Sequence, residues 1–130
     1  MIVVDASTAL SAAATPVGLP LLAPLGPVAP PLLWSEASSV LHEALWRRQV
    51  TPALSATVRD RIFDGPIGRR RPRDLHRRAW EVAERLGWAK TYDAEYVALA
   101  LCLGCALVTV DRRLRRGAAN LVQVVGPEDL

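Results

Sequence analysis

The parts that many enzymes rely on are scarce in this chain. Its 130 residues include two histidines, His42 and His76, and two cysteines, Cys102 and Cys105. Both histidines fall inside helical patterns with no serine or cysteine partner, which excludes a nucleophilic triad. The C-x-x-C pair lacks the two further soft ligands that a zinc site needs. Cys102 closes a helical pattern instead of opening one, so a redox thiolate there would gain nothing from the helix dipole. Both cysteines are therefore expected to be buried free thiols. The single lysine is Lys90, and neither G-x-G-x-x-G nor a Walker pattern occurs, which removes the familiar phosphate-cradling loops. The most apolar stretch, Val17 to Leu33, carries Pro20, Pro24, Pro27, Pro30 and Pro31. No ordinary membrane-spanning helix tolerates that many prolines. Asp5 stands where a secretory leader would be cationic, so a cytoplasmic protein without membrane contact is expected.

What is present points to a folded domain. Apolar residues make up 51% of the chain and the mean hydropathy is +0.17. A chain of this length forms one domain, residues 1–130, and buries about two-thirds of its unfolded surface. The formal net charge is only +3, but it is unevenly spread. Arg69-Arg70-Arg71-Pro72-Arg73 and Arg112-Arg113-Leu114-Arg115-Arg116 hold half of the 16 basic residues. Clustered guanidinium groups suit phosphate, which their planar fork grips with two hydrogen bonds. Either run alone would read as solvated surface, whereas two of them favour an anionic polymer as partner.

Along the chain, Ile2 to Asp5 predicts a short buried strand and Ala6 to Ala14 a helix. After Thr15-Pro16 come at most a short helix and then a strand near Pro27 to Pro30. Leu33, Ala37, Val40, Leu41, Ala44 and Leu45 recur at threes and fours, which predicts a helix over 32–49. Thr51-Pro52 provides a cap and a first-turn proline for a helix to about Phe63. Gly65 to Gly68 forms a break with one short strand, Asp74 to Leu86 a helix stopped by Gly87. Thr91 caps a helix over 92–103 that Gly104 ends. Ala106 to Val110 is a strand, Arg112 to Arg116 a single turn, and Leu121 to Val125 a last strand. Strands alternating with helices predict a parallel α/β sheet.

Four acids lie near the ends of these apolar segments: Asp5, Glu36, Asp93 and Asp111. In parallel sheets the working residues collect beyond the carboxyl ends of the strands, and Asp5 and Asp111 both follow one. Each acid alone is accounted for as a helix cap or a first-turn residue, but caps have no need to share an edge. Converging carboxylates repel unless a cation neutralises them, and a hard divalent ion with oxygen ligands does so best. Ser7 and Thr109, two residues from Asp5 and Asp111, are placed to orient a carboxylate or a water. Glu43 is two turns along from Glu36 and less direct, while Glu81 and Glu84 look like solvated mid-helix acids. The tryptophans Trp34, Trp46, Trp80 and Trp88 at helical spacing suit a core or a dimer interface better than base stacking.

The run Met1-Ile-Val-Val-Asp5-Ala-Ser7, the Leu33-Trp-Ser-Glu36 helix start, Tyr92-Asp93-Ala-Glu-Tyr-Val-Ala-Leu-Ala100 and Val108-Thr-Val-Asp111-Arg-Arg-Leu114 resemble the PIN domain. In particular they resemble the VapC toxins of bacterial toxin–antitoxin pairs, in order and over nearly the whole chain. The resemblance implies a three-layer α/β/α fold with about five short parallel strands. It implies an endoribonuclease dependent on Mg²⁺, or alternatively Mn²⁺, that cleaves structured RNA through a metal-activated water. The family's catalytic and metal-binding quartet falls on Asp5, Glu36, Asp93 and Asp111. Expected partners are RNA, a cognate VapB antitoxin and a second copy of the chain. Arg69, Arg70, Arg71, Arg112, Arg113, Arg115 and Arg116 are the candidates for contacting RNA or the antitoxin. The chain departs from the family between Ala14 and Pro31, where relatives carry a longer polar helix.

Other classes fit less well. A haloacid-dehalogenase-like phosphatase would want a second acid where Ser7 stands. A receiver-like module would want a lysine on a late strand, and Lys90 precedes Asp93 instead. A PIN-like hydrolase that is not a toxin, or a non-catalytic module binding Mg²⁺ and nucleic acid, remains the alternative. An apolar stripe of Leu41, Ala44, Leu45 and Trp46, with Ile62, Phe63 and Trp80, predicts a homodimer face.

Overall fold

The computed structural model describes residues 1–130. Five parallel strands form one sheet: β1 (Ile2–Val4), β2 (Pro27–Ala29), β3 (Gly68–Arg69), β4 (Ala106–Val108) and β5 (Val124–Val125). Their order is β3-β2-β1-β4-β5. The chain winds outward from β1 through β2 to β3, then returns to add β4 on the other side of β1. Ile2, Val3 and Val4 face Ala106, Leu107 and Val108 across that join. In an open parallel sheet such a reversal leaves a crevice at the carboxyl ends of the two strands. It opens here between residues 5 and 109.

Helices flank the sheet in three layers, as expected. The first four are α1 (Ala6–Ala13), α2 (Gly18–Leu22), α3 (Leu32–Trp46) and α4 (Pro52–Phe63), and the last three α5 (Leu75–Leu86), α6 (Tyr92–Leu103) and α7 (Arg112–Ala118). Helices α1, α3 and α4 pack on one another, while α6 pairs with α5 and contacts β1 and β4. Every residue of α6 from Ala94 to Ala100 is buried, the signature of a helix apolar on all sides. The core joins Val3, Val4, Val97, Leu99, Leu107 and Val108, each 0% exposed. Truncating Leu107 to alanine there would cost about 2–5 kcal/mol. No helix is long and apolar enough to cross a membrane.

The stop signals acted as predicted. Gly87 and Gly104 take left-handed φ values of 70° and 62° at the ends of α5 and α6, where a side chain would be strained. Thr51 accepts a hydrogen bond from the Leu54 N–H and precedes first-turn Pro52. Several boundaries differ. Helix α3 stops at Trp46, and α7 runs two turns instead of one. Regular β4 ends at Val108, although the Thr109 N–H still donates to the Val125 carbonyl. Strand β5 shrinks to two residues because the chain from Leu121 first closes the turn after α7. Thr91 provides no side-chain cap for α6. Cys102 and Cys105 are free but only partly buried, which corrects the expectation of fully buried thiols. Burial still raises the Cys105 pKa above its usual value. Ile62 is 2% exposed and belongs to the core, so it is no part of an open apolar face.

Candidate functional site

Asp5 ends β1 and caps α1, and it is 5% exposed. Burying a carboxylate is costly unless its oxygens are partnered, and both are. The Thr8 N–H donates to Oδ1 at 2.9 Å and the Thr109 hydroxyl to Oδ2 at 2.5 Å. The Thr109 Oγ1 also accepts from the Asp111 N–H at 3.0 Å. One hydroxyl thus ties the carboxylate after β1 to the backbone of the acid after β4. The Thr8 hydroxyl makes a second tie, donating to the Val108 carbonyl and accepting from the Val110 N–H. Asp111 caps α7, accepting from the Arg113 and Leu114 N–H groups at 2.8 and 3.3 Å.

Glu36 lies one turn inside α3, not at its end, and is half-buried. Its Oε1 accepts a 2.5 Å hydrogen bond from Tyr96. Tyr96 is 1% exposed and follows Asp93 by three residues on α6, the spacing that places both on one helix face. Asp93 stands in the first turn of α6, open along one side. Glu36, Asp93 and Asp111 line one cleft of about 640 Å³ with Gly87, Trp88, Lys90, Tyr92, Arg113 and Leu114.

The electrostatics bind the four acids into one unit. Loss of solvation raises the Glu36 carboxyl pKa, and the Tyr96 hydroxyl pulls it partly back. Asp93, Asp5 and Glu95 push it up further. Asp93 is raised by loss of solvation, then by Asp111 and Asp5, with Arg113 opposing. The Tyr96 phenol is pushed far above its normal range by burial and by Glu36, so it stays a protonated donor. Two carboxyls raised first by loss of solvation and then by neighbouring acids mark a site short of positive charge. No three acidic, histidine or cysteine side chains form a ready-made metal cluster.

The remaining candidates scatter. Ser7 is exposed and bonds to no carboxylate, while its neighbour Thr8 supplies the ties. Glu43 points elsewhere and pairs with Arg47 at 2.7 Å. The Arg69 guanidinium stacks 4.4 Å over the Trp34 ring. The Arg70 N–H extends the sheet by bonding to the Ala29 carbonyl, and Arg71 lies beside His76 and Glu95. Arg115 holds the C-terminal acids Glu128 and Asp129 at 2.9 and 2.5 Å, so it is engaged within the chain. Arg112 and Arg116 are exposed and unpaired, and of the second run only Arg113 lines the cleft. Tyr96, Trp88, Lys90 and Tyr92 were not singled out as site residues from sequence. The three-residue step from Asp93 to Tyr96 and the short link from Gly87 to Asp93 were the available signals.

The fold defines the class: a PIN domain, here with a switch-point crevice edged by carboxylates. No protein-family model matches the chain. Two curated relatives are each 37% identical over 115 residues, 88% of this chain and 88% of their own length: VapC ribonuclease Mb0985 of Mycobacterium bovis and ribonuclease VapC9 of Mycobacterium tuberculosis. The chain belongs to the VapC ribonuclease family. The crystal structure of PAE2754 from Pyrobaculum aerophilum shares the fold, with a TM-score of 0.73 at 22% identity. That match covers 98% of this chain and 90% of the other. FitAB bound to an IR36 DNA fragment superposes with a TM-score of 0.66 at 14% identity, over 100% and 97% of the two chains.

Proposed function

We propose that residues 1–130 act as one PIN domain that cleaves RNA, the toxin of a VapBC-type pair. Membership of the VapC family supports the ribonuclease activity and the antitoxin partner. What supports the site is that Glu36, Asp93 and Asp111 line one cleft and that Asp5 is near enough to raise the pKa of both Glu36 and Asp93. Asp5, Glu36, Asp93 and Asp111 are the catalytic and metal-binding groups, with Mg²⁺ as the ion and Mn²⁺ as its substitute.

A bound divalent cation would neutralise the acids, polarise the scissile phosphate and make water a competent nucleophile. The chain's residues do the rest. Asp5 is fixed by Thr8 and Thr109, so its carboxylate needs no reorganisation on binding. Tyr96 holds Glu36 by one oxygen and leaves the other free. Arg113 and Lys90, both on the cleft wall, grip the RNA backbone, a contact that positions without reading sequence. Arg112 and Arg116, on the same helix as Arg113, and Arg71, in a separate pocket beside His76 and Glu95, are further contacts for RNA or for the antitoxin.

A homodimer is supported by the open apolar residues of α3 and α4. Trp46 is 78% exposed and Phe63 51%, beside Leu41 and Leu45 in a cleft of about 580 Å³. Single exposed apolar residues are ordinary, but contiguous ones mark association. A cytoplasmic location fits the RNA substrate. Incubating purified protein with RNA tests the proposal. Cleavage should need Mg²⁺, stop with EDTA and vanish on adding the cognate antitoxin, whereas cleavage persisting in EDTA would sink the metal-dependent mechanism.

A further inference from the structure

The cleft that gathers the acids also carries two aromatic rings that hold up no carboxylate. Trp88 lies in the five-residue link between α5 and α6 and Tyr92 directly follows it, and both line the cleft beside Lys90, Asp93 and Arg113. The Trp88 ring is set from two directions. Gly87, at φ 70°, turns the chain out of α5, and the Trp88 N–H then closes the helix on the Ala83 carbonyl at 2.8 Å. Its indole rests against Gly117 of α7, where an added Cβ would come within 3.0 Å of the ring. A side chain at that position would displace the indole, so the missing one fixes where it lies. Tyr92 is the contrasting case to Tyr96. The latter is 1% exposed and bonded to Glu36, whereas Tyr92 is 54% exposed and makes no side-chain hydrogen bond. A large ring left open at the mouth of a charged cleft contributes little to stability. It offers a flat apolar face immediately beside Asp93.

From this we infer that Trp88 and Tyr92 form a base-stacking subsite, which takes one unpaired nucleobase flanking the scissile phosphate while Lys90 and Arg113 hold the adjoining phosphates. The inference rests on the ribonuclease assignment and adds the two side chains, Trp88 and Tyr92, that engage the base. Bases inside an A-form helix are already stacked and their faces are covered, so only an unpaired or splayed base can lie on an aromatic ring. Stacking is indifferent to base identity. The subsite therefore selects single-stranded or loop RNA over duplex without choosing a sequence, and it places the phosphate next to the stacked base within reach of the acids.

The test compares two ligands on metal-free protein at low salt. One is a hexaribonucleotide of adenosines with 2-aminopurine at its centre, and the other is a ribose-phosphate hexamer without bases. Wild type should bind the first about tenfold or more tightly than the second, with quenching of the 2-aminopurine fluorescence. Tyr92→Phe should keep that preference. Tyr92→Ala should remove most of it while leaving binding of the base-free hexamer unchanged, and Gly117→Ala, by shifting Trp88, should reduce it. Equal affinity of wild type for the two hexamers, or a full preference retained by Tyr92→Ala, would overturn the subsite. Cleavage of RNA in Mg²⁺ by wild type but not by Asp93→Asn is scored separately. Cutting without base preference refutes the subsite alone, whereas base preference without cutting supports the subsite and refutes the ribonuclease assignment.

Discussion

Helix α6 and the α3–α4 pair use apolar residues in opposite ways. In α6 seven consecutive positions are buried, and the helix is wedged between α5 and the strands β1 and β4. Its first turn consequently offers Asp93 from a rigid base, and Tyr96 reaches Glu36 from within the core. In α3 and α4 the buried face is narrow, and Trp46 and Phe63 project into solvent. One region spends its hydrophobicity on holding a site still. The other leaves part of it exposed to solvent. Glu36 belongs to both, since it sits on α3 yet is fixed by α6.

The comparison breaks most sharply at the acids. Asp93→Asn in α6 should lower RNA cleavage by about a thousandfold or more, because the ion's charge stabilisation is worth several kcal/mol. The far-UV circular dichroism should not change. Wild-type cleavage by this variant would remove Asp93 from the machinery. Tyr96→Phe probes the link between the regions. With Glu36 as a ligand of the ion, as proposed above, loss of its hydrogen bond should cost about 10–100-fold in activity. The Tyr96 hydroxyl lowers the Glu36 pKa, so its loss should also move the acid limb of the pH–rate profile to higher pH. An unmoved limb would show that Tyr96 only fills space.

The α3–α4 face should respond differently. Trp46→Glu with Phe63→Glu should weaken self-association by about thirtyfold or more, read by sedimentation, with each chain still folded. Unchanged sedimentation would place the dimer elsewhere, or nowhere. The smallest effect concerns stability without metal. Glu36 and Asp93 have raised pKa values, so the folded state favours their protonated forms. That contribution is complete below the ordinary carboxylate pKa and is lost as pH rises through the folded values. Metal-free Asp93→Asn should therefore melt a few degrees above wild type at neutral pH, with the gap closing on acidification. Added Mg²⁺ should raise the melting temperature of wild type only. A variant that melts lower at neutral pH would contradict the repulsion.

Much of the fold was legible because its punctuation is local. Gly87, Gly104 and Thr51-Pro52 each act within one turn of themselves, and the apolar runs of β1 and β4 are short and unambiguous. The four acids stood out because each borders such a run, although Glu36 proved to lie a turn inside its helix. What escaped notice depends on distant partners. Nothing around Arg115 shows that Glu128 and Asp129 will hold it, and Ser7 and Thr8 are equivalent on paper until the helix turns one outward. The exposure of Trp46 and the burial of Ile62 likewise follow from how α3 and α4 cross, which spacing alone leaves open.

The Thr109 hydroxyl bridges Asp5 and Asp111 across a sequence separation of 104 residues. Such a contact is among the last a chain can make, since closing so long a loop must precede it. A nascent chain emerging from the ribosome carries Asp5 and Glu36 well before Thr109 exists. Until β4 docks beside β1, the first carboxylate has only its local tie to the Thr8 N–H, the fourth is unplaced, and the crevice has one wall. The crevice is thereby completed by one of the last contacts the fold can form, so the site and the fold become complete together.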